Sequence, residues 1–246
     1  MCGCTVPAAE NSALQGRRKI IRREILRRPF LKDNFENEKR NPMDYKSTLD
    51  YYDTHSHEFY KTTVKVDLTG NQKLFLSKLK EGARILDFGC GSGRDAKYFL
   101  DRGYQVDATD GSAKMCRLAA EYTGINVKNM LFHELSAVNQ YDGIWACSSI
   151  LHLPADELAD VMRKIAAALK ERGILYTSFK YGTFEGERNG RFFTDMTEKK
   201  FAEFLEKIHE LEIEEQWITS DARPGRGEEK WLNVILRKRG SRGNLR

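Results

Sequence analysis

The chain has 246 residues, 40% of them hydrophobic, which suits one domain of ordinary size with its own core. No apolar run reaches the roughly eighteen residues that a membrane-spanning helix needs, and no secretory leader pattern is visible at the N-terminus. The net charge of +5 is uneven: residues 1–42 hold 10 basic and 5 acidic side chains, and residues 237–246 hold 5 basic and no acidic ones, which leaves 43–236 at −5.

Taken in chain order, residues 1–42 read as a basic N-terminal extension. Arg17 to Arg28 could form a basic amphipathic helix for a membrane surface or RNA, or stay a solvated tail. Cys2 and Cys4 offer too few thiolates for a metal site, and no other ligand cluster is apparent, so no metal is expected. Cys90, Cys116 and Cys147 bring the cysteines to an odd number at irregular spacing. That argues against a disulfide framework and for a reducing cytoplasm. Met43, after Asn41-Pro42, begins a segment that already reads as a domain start. One helix is predicted over 44–59 and a second over 71–80.

Strands and helices then alternate. The spacing predicts strands at 84–88, 104–109, 127–132, 141–147 and 173–179. Helices are predicted at 93–102, 112–122, 155–170 and 197–207. The helix over 155–170 places Leu158, Val161, Met162, Ile165 and Leu169 on one face. Two late strands, 211–219 and 230–237, have no helix between them and should pair antiparallel. Residues 238–246 form a basic tail. Repeated strand–helix units imply an α/β fold with a mostly parallel sheet between two helical layers.

The most informative stretch is Ile85-Leu86-Asp87-Phe88-Gly89-Cys90-Gly91-Ser92-Gly93-Arg94. An apolar strand meets an acid, then glycines at every second position, then helix formers. Such a turn lets a ligand approach the backbone, and the amides opening the helix favour anionic groups. The spacing is G-x-G-x-G rather than the dinucleotide fingerprint G-x-G-x-x-G. A second acid, Asp110, closes the following strand and precedes Gly111-Ser112.

These blocks, together with V-D-A-T-D-G-S-A-K-M, Y-D-G-I-W-A-C-S-S-I-L-H-L-P and G-I-L-Y-T-S-F, resemble class I S-adenosylmethionine-dependent methyltransferases across about 43–237. The G-C-G-S-G-R-D and G-Y-Q-V-D-A-T-D runs look most like the bacterial tellurite-resistance methyltransferase group. The resemblance implies a Rossmann-like three-layer sandwich whose seven-stranded sheet has an antiparallel last strand. It also implies S-adenosyl-L-methionine as cofactor, at the carboxyl ends of the strands. Asp87 is then expected near the methionine ammonium, or else as a helix cap. Gly89, Cys90, Gly91 and Gly93 line the cofactor loop, and Asp110 takes the ribose hydroxyls. Gly111 and Met115 follow it, with Met115 on the adenine face. Glu134 and Leu135 are the candidates near the adenine amino group, although the family more often has Asp followed by a small residue. Cys147 follows the fourth strand beside the methionine part.

For the acceptor side, His152 is a candidate general base, with a structural histidine as the alternative. Of the aromatic residues Tyr51, Tyr52, Phe59 and Tyr60 on the segment before the sheet, Tyr60 is expected to close over the site. Lys180, Arg188 and Arg191 follow the fifth strand and would suit an oxyanion or carboxylate, or form a solvated loop with Glu185 and Glu187. The late hairpin adds Arg223, Arg226 and Lys230. The leading reading is a methyltransferase for a small, anionic acceptor. An RNA or protein methyltransferase docking through its basic ends is the alternative, and the acidic body weighs against it.

Overall fold

The computed structural model describes residues 44–240. Helices α1 (Asp44–Thr54), α2 (Ser56–Thr63) and α3 (Thr69–Leu76) precede the sheet. The single helix expected over 44–59 is thus two, parted at His55, where Ser56 Oγ donates to the Asp53 carbonyl at 3.3 Å. Short polar side chains that bond nearby backbone in this way favour a helix break.

Strand β1 (Arg84–Phe88) leads to α4 (Arg94–Leu100), and β2 (Gln105–Asp110) to α5 (Ala113–Thr123). Strand β3 (Val127–Asn129) is followed by β4 (Tyr141–Ala146), α6 (Ala155–Ala168) and β5 (Leu169–Lys180). The expected strand over 127–132 stops early because the chain turns at Phe132–Glu134. A hairpin, β6 (Glu185–Arg188) and β7 (Arg191–Thr194), was not anticipated. Its turn is Asn189-Gly190, both at positive φ (53° and 73°), which is the chemistry a tight two-residue hairpin demands. Then come α7 (Glu198–Leu205), β8 (Leu211–Ser220) and β9 (Lys230–Lys238).

The sheet has seven strands in the order β3-β2-β1-β4-β5-β9-β8. The first five run parallel, while β9 is antiparallel to both β5 and β8. The strand that reverses is therefore internal, and β8 takes the edge. Side chains alternate cleanly between faces, as a pleated strand requires. Leu86, Phe88, Ile144, Leu175 and Phe179 pack with α6 and α7 on one face. Ile85, Trp145, Ile174 and Tyr176 pack with Phe75 of α3 and Phe99 of α4 on the other. Trp145 and Tyr176 stack at 3.8 Å between centroids. Both sheet faces are covered, so a ligand must use the rim, at the carboxyl ends where β1 and β4 diverge.

Candidate active site

A cleft of about 680 Å3 opens at that rim, within the roughly 300–1,000 Å3 typical of small-molecule sites. Its floor is the turn after β1. Gly89 has φ +81° there, and a Cβ would stand 2.5 Å from Ser149 Cβ, so the close approach of the two loops requires glycine. Gly93 has φ +77° and opens α4, and a Cβ there would meet Thr123 of α5 at 2.8 Å. It serves helix packing and does not line the cleft; Gly89, Cys90 and Gly91 do.

Asp110 ends β2 beside this turn. Its Oδ2 accepts from the Gly91 amide and its Oδ1 from the Ser112 amide, each at 2.9 Å. Burial pushes this carboxyl above the usual carboxylate range, against the pull of the two amides. Each oxygen keeps a lone pair for a further donor. Gly111, Met115, Leu131 and Phe132 supply apolar walls next to it.

Asp87 stands behind the turn. It is buried, does not line the cleft, and accepts from the Ala96 amide at 3.0 Å, capping α4. Burial and the neighbouring Asp95 raise its carboxyl well above the ordinary range. Asp95, the second residue of α4, goes the other way. Burial works to raise it, but the Arg94 guanidinium and donors on Trp145 and Gln72 hold it low. Arg94 and Asp95 both line the cleft. Asp95 thus reaches this part of the site, while Asp87, expected near the methionine ammonium or as a helix cap, caps α4 behind it.

Glu134 and Leu135 also lie outside the cleft. Glu134 Oε2 accepts from the Leu131 amide at 2.7 Å, and Leu135 is buried in the core. The early turn after β3 presents Leu131, Phe132 and His133 instead. Cys147 does line it, between Arg94 and the hydroxyls of Ser148 and Ser178. Burial, then the charge of Asp95, pushes its thiol up to about 12, so it stays a neutral thiol.

Helix α1 and the β6–β7 hairpin close the opposite end. They are tied together by the Phe192 amide, which donates to Thr48 Oγ1 at 3.0 Å. Tyr52 and Phe59 face the cleft, edge to face at 5.0 Å, while Tyr60 turns away to meet Tyr122 at 6.1 Å. His152 is 8% exposed. Its Nδ1–H donates to the Phe192 carbonyl at 2.6 Å, and its Nε2 accepts from the Tyr52 hydroxyl at 2.9 Å. A carbonyl only accepts, which sets this tautomer. Burial lowers the imidazole pKa to about 4. Both nitrogens of His152, the candidate base or structural histidine, are engaged.

Lys180, Arg188 and Arg191 all reach the cleft. Lys180 pairs with Asp221 at 3.4 Å and with Glu229, and lies 4.3 Å over the Trp231 ring. Arg188 grips Asp195 with two bonds of 3.1 and 3.0 Å. Glu185 and Glu187, expected as loop partners, belong to β6.

Residues 85–173 match a family described as a methyltransferase domain. The seven-stranded sheet with its flanking helices matches the Rossmann-like fold of class I S-adenosylmethionine-dependent methyltransferases. It is 26% identical over 143 residues to an uncharacterized methyltransferase of Staphylococcus carnosus, covering 55% of this chain and 69% of that one. Over 99 residues it is 30% identical to a malonyl-[acyl-carrier protein] O-methyltransferase of Enterobacter lignolyticus, covering 38% of this chain and 37% of that protein. The fold matches the Burkholderia thailandensis 1,6-didemethyltoxoflavin-N1-methyltransferase, solved with 1,6-didemethyltoxoflavin and S-adenosylhomocysteine. The TM-score is 0.68 at 23% identity, over 81% of this chain and 91% of that one. Among the described residues no helix is long and apolar enough to cross a membrane, and no acid, histidine or cysteine cluster could hold a metal. The residues present suit a sulfonium nucleoside: a glycine floor that a Cβ would fill, a half-buried carboxylate with acceptor capacity left over, and flat apolar walls.

Proposed function

We propose that this domain transfers a methyl group from S-adenosylmethionine to a small, anionic molecule. One observation carries the reading: a single cleft runs from Asp110 and the glycine turn to the arginine-bearing hairpin. In this reading Asp110 accepts the two ribose hydroxyls, and Gly89, Cys90 and Gly91 give backbone access to the amino-acid part. Met115, Leu131 and Phe132 flank the base, and Cys147 with Asp95 borders the methionine end. The cofactor supplies a methyl group already activated on a sulfonium. The protein therefore has mainly to align donor and acceptor, an effect of about 7–11 kcal/mol at best. Tyr52 and Phe59 exclude water above the reacting end, and their ring faces favour a cation. A small acceptor agrees with the Burkholderia thailandensis methyltransferase of like fold, solved with bound 1,6-didemethyltoxoflavin and S-adenosylhomocysteine. Free thiols at Cys90, Cys116 and Cys147 agree with a reducing, cytoplasmic compartment.

Calorimetry with S-adenosylmethionine, S-adenosylhomocysteine and NAD tests the cofactor assignment. S-adenosylhomocysteine should bind and NAD should not. Asp110→Asn should weaken that binding by about 10- to 100-fold, the range for a lost bond to a charged group. Unchanged affinity in the variant, or a preference for NAD, would remove the reading.

A further inference from the structure

The cations lining the cleft are nearly all neutralised from within. Arg94 lies on Asp95, Lys180 between Asp221 and Glu229, and Arg188 on Asp195. Arg223 pairs with Asp221 and Arg226 with Glu229. Lys230 is exposed and donates to Ser220 Oγ and the Gly227 carbonyl.

Arg191 differs. No described carboxylate is in ion-pair contact with it. Its guanidinium carbon lies 4.3 Å from the Tyr51 ring centre and 5.1 Å from that of Phe193. Its hydrogen bond to Tyr52 Oη is long, at 3.4 Å, and its Nε is buried without a partner. A guanidinium has five donors in a fixed fork suited to a carboxylate or oxyanion. This one is held rigid by aromatic rings with most of that capacity unused.

The acid–base candidates beside it are committed. His152 has no lone pair facing the cleft, and the Tyr52 proton points at His152. The other titratable groups at this end are Tyr181, bonded to Glu198, and the pairs Arg188–Asp195 and Arg223–Asp221. Glu228, exposed on the loop before β9, also lines the cleft without an ion pair; apart from it no unpaired carboxylate among the described residues stands at this end to take a proton.

From this juxtaposition we infer that the acceptor is a small organic acid taken up as its preformed anion, with its charge received by Arg191. The inference rests on the methyltransferase reading and narrows its substrate class. Burial pushes the Tyr52 phenol up and the His152 imidazole down to about 4, so neither readily changes charge at neutral pH. An anion needs neither of them. Its lone pair forms the new bond to the methyl carbon while the sulfur–carbon electrons return to sulfur. One negative and one positive charge cancel, and no proton moves.

Benzoate and its neutral isostere benzamide are suitable probes, titrated by calorimetry into the full-length protein saturated with S-adenosylhomocysteine. Benzoate should bind at least about tenfold tighter, as expected for a charge-assisted pair. Arg191→Gln should erase that preference with S-adenosylhomocysteine affinity kept within about twofold, and Arg191→Lys should restore part of it. Arg102→Gln, the same loss of charge beyond the exposed end of α4, should retain it. Equal binding of the two probes to the native protein, absence of benzoate binding, or a preference surviving in Arg191→Gln overturns the inference. The native comparison decides the matter even where a variant fails to fold. Failure to bind S-adenosylhomocysteine would instead strike the methyltransferase reading beneath it.

Discussion

His152 shows how one residue's surroundings decide its chemistry. Its ring lies edge-on to Tyr52 at 5.6 Å and Phe193 at 4.9 Å, and burial, with some help from Arg191, disfavours the imidazolium. Its folded pKa of about 4 lies below the ordinary imidazole value of 6.5. Between those values the unfolded chain binds more protons than the folded one, so stability rises with pH there. The contribution is complete above the unfolded value and is lost as pH falls towards the folded one. It is on the order of 3 kcal/mol. His152→Gln, which cannot titrate, should lose correspondingly less stability than the native protein between pH 7 and pH 4 in urea unfolding. Equal losses would contradict the buried neutral ring. Asp110 was legible in sequence because a strand-end acid before Gly111-Ser112 has few other uses. Tyr52 was harder to single out, since helical aromatics look alike until their faces are known. Spacing offered little help, because the break at His55 puts Tyr52 on α1 and Phe59 and Tyr60 on α2.

The turn between β1 and α4 and the β6–β7 hairpin are the elements that shape the cleft, and both depend on glycine geometry. Gly89 and Gly103 have nearly the same φ, +81° and +80°, but a Cβ at Gly103 meets nothing within 4 Å. Gly103→Ala should therefore cost only about 1 kcal/mol, from backbone strain alone. Gly89→Ala adds the clash with Ser149, whose Oγ is fixed on the Phe88 carbonyl at 2.7 Å. Its cost should reach about 2–4 kcal/mol, with weakened S-adenosylhomocysteine binding. Denaturation midpoints and calorimetry on both variants separate strain from overlap. The glycine turn was readable because three glycines in five residues interrupt an apolar strand. The hairpin was missed although Asn189-Gly190 is a strong turn signal, because its strands are four residues each and rich in charge. They are held by pairing, by α1 and by the single core side chain Phe193.

At the scale of the whole molecule, alternation of strands and helices was sufficient to anticipate a parallel sheet and an antiparallel pair at its end. Spatial order is another matter: nothing local in 211–238 says that β9 lies inside β8. That placement follows from the burial of Leu232, Val234, Ile235 and Leu236, all 0% exposed, against the half-exposed β8. Among the described residues, those lining the cleft fall between Thr48 and Asn233. Removing residues 1–42 should therefore leave S-adenosylhomocysteine affinity within about twofold. Transfer RNA binding that vanished with that segment would revive the RNA alternative.

The internal position of β9 bears on how the protein is made. A polypeptide emerging from the ribosome can pair its first five strands as they appear, but β5 and β8 wait for a seam that is translated after both. A chain halted at residue 229 would carry bare backbone along each of them, open to strands from other molecules. Nonsense truncation inside the last strand should thus yield aggregates rather than a weakened enzyme.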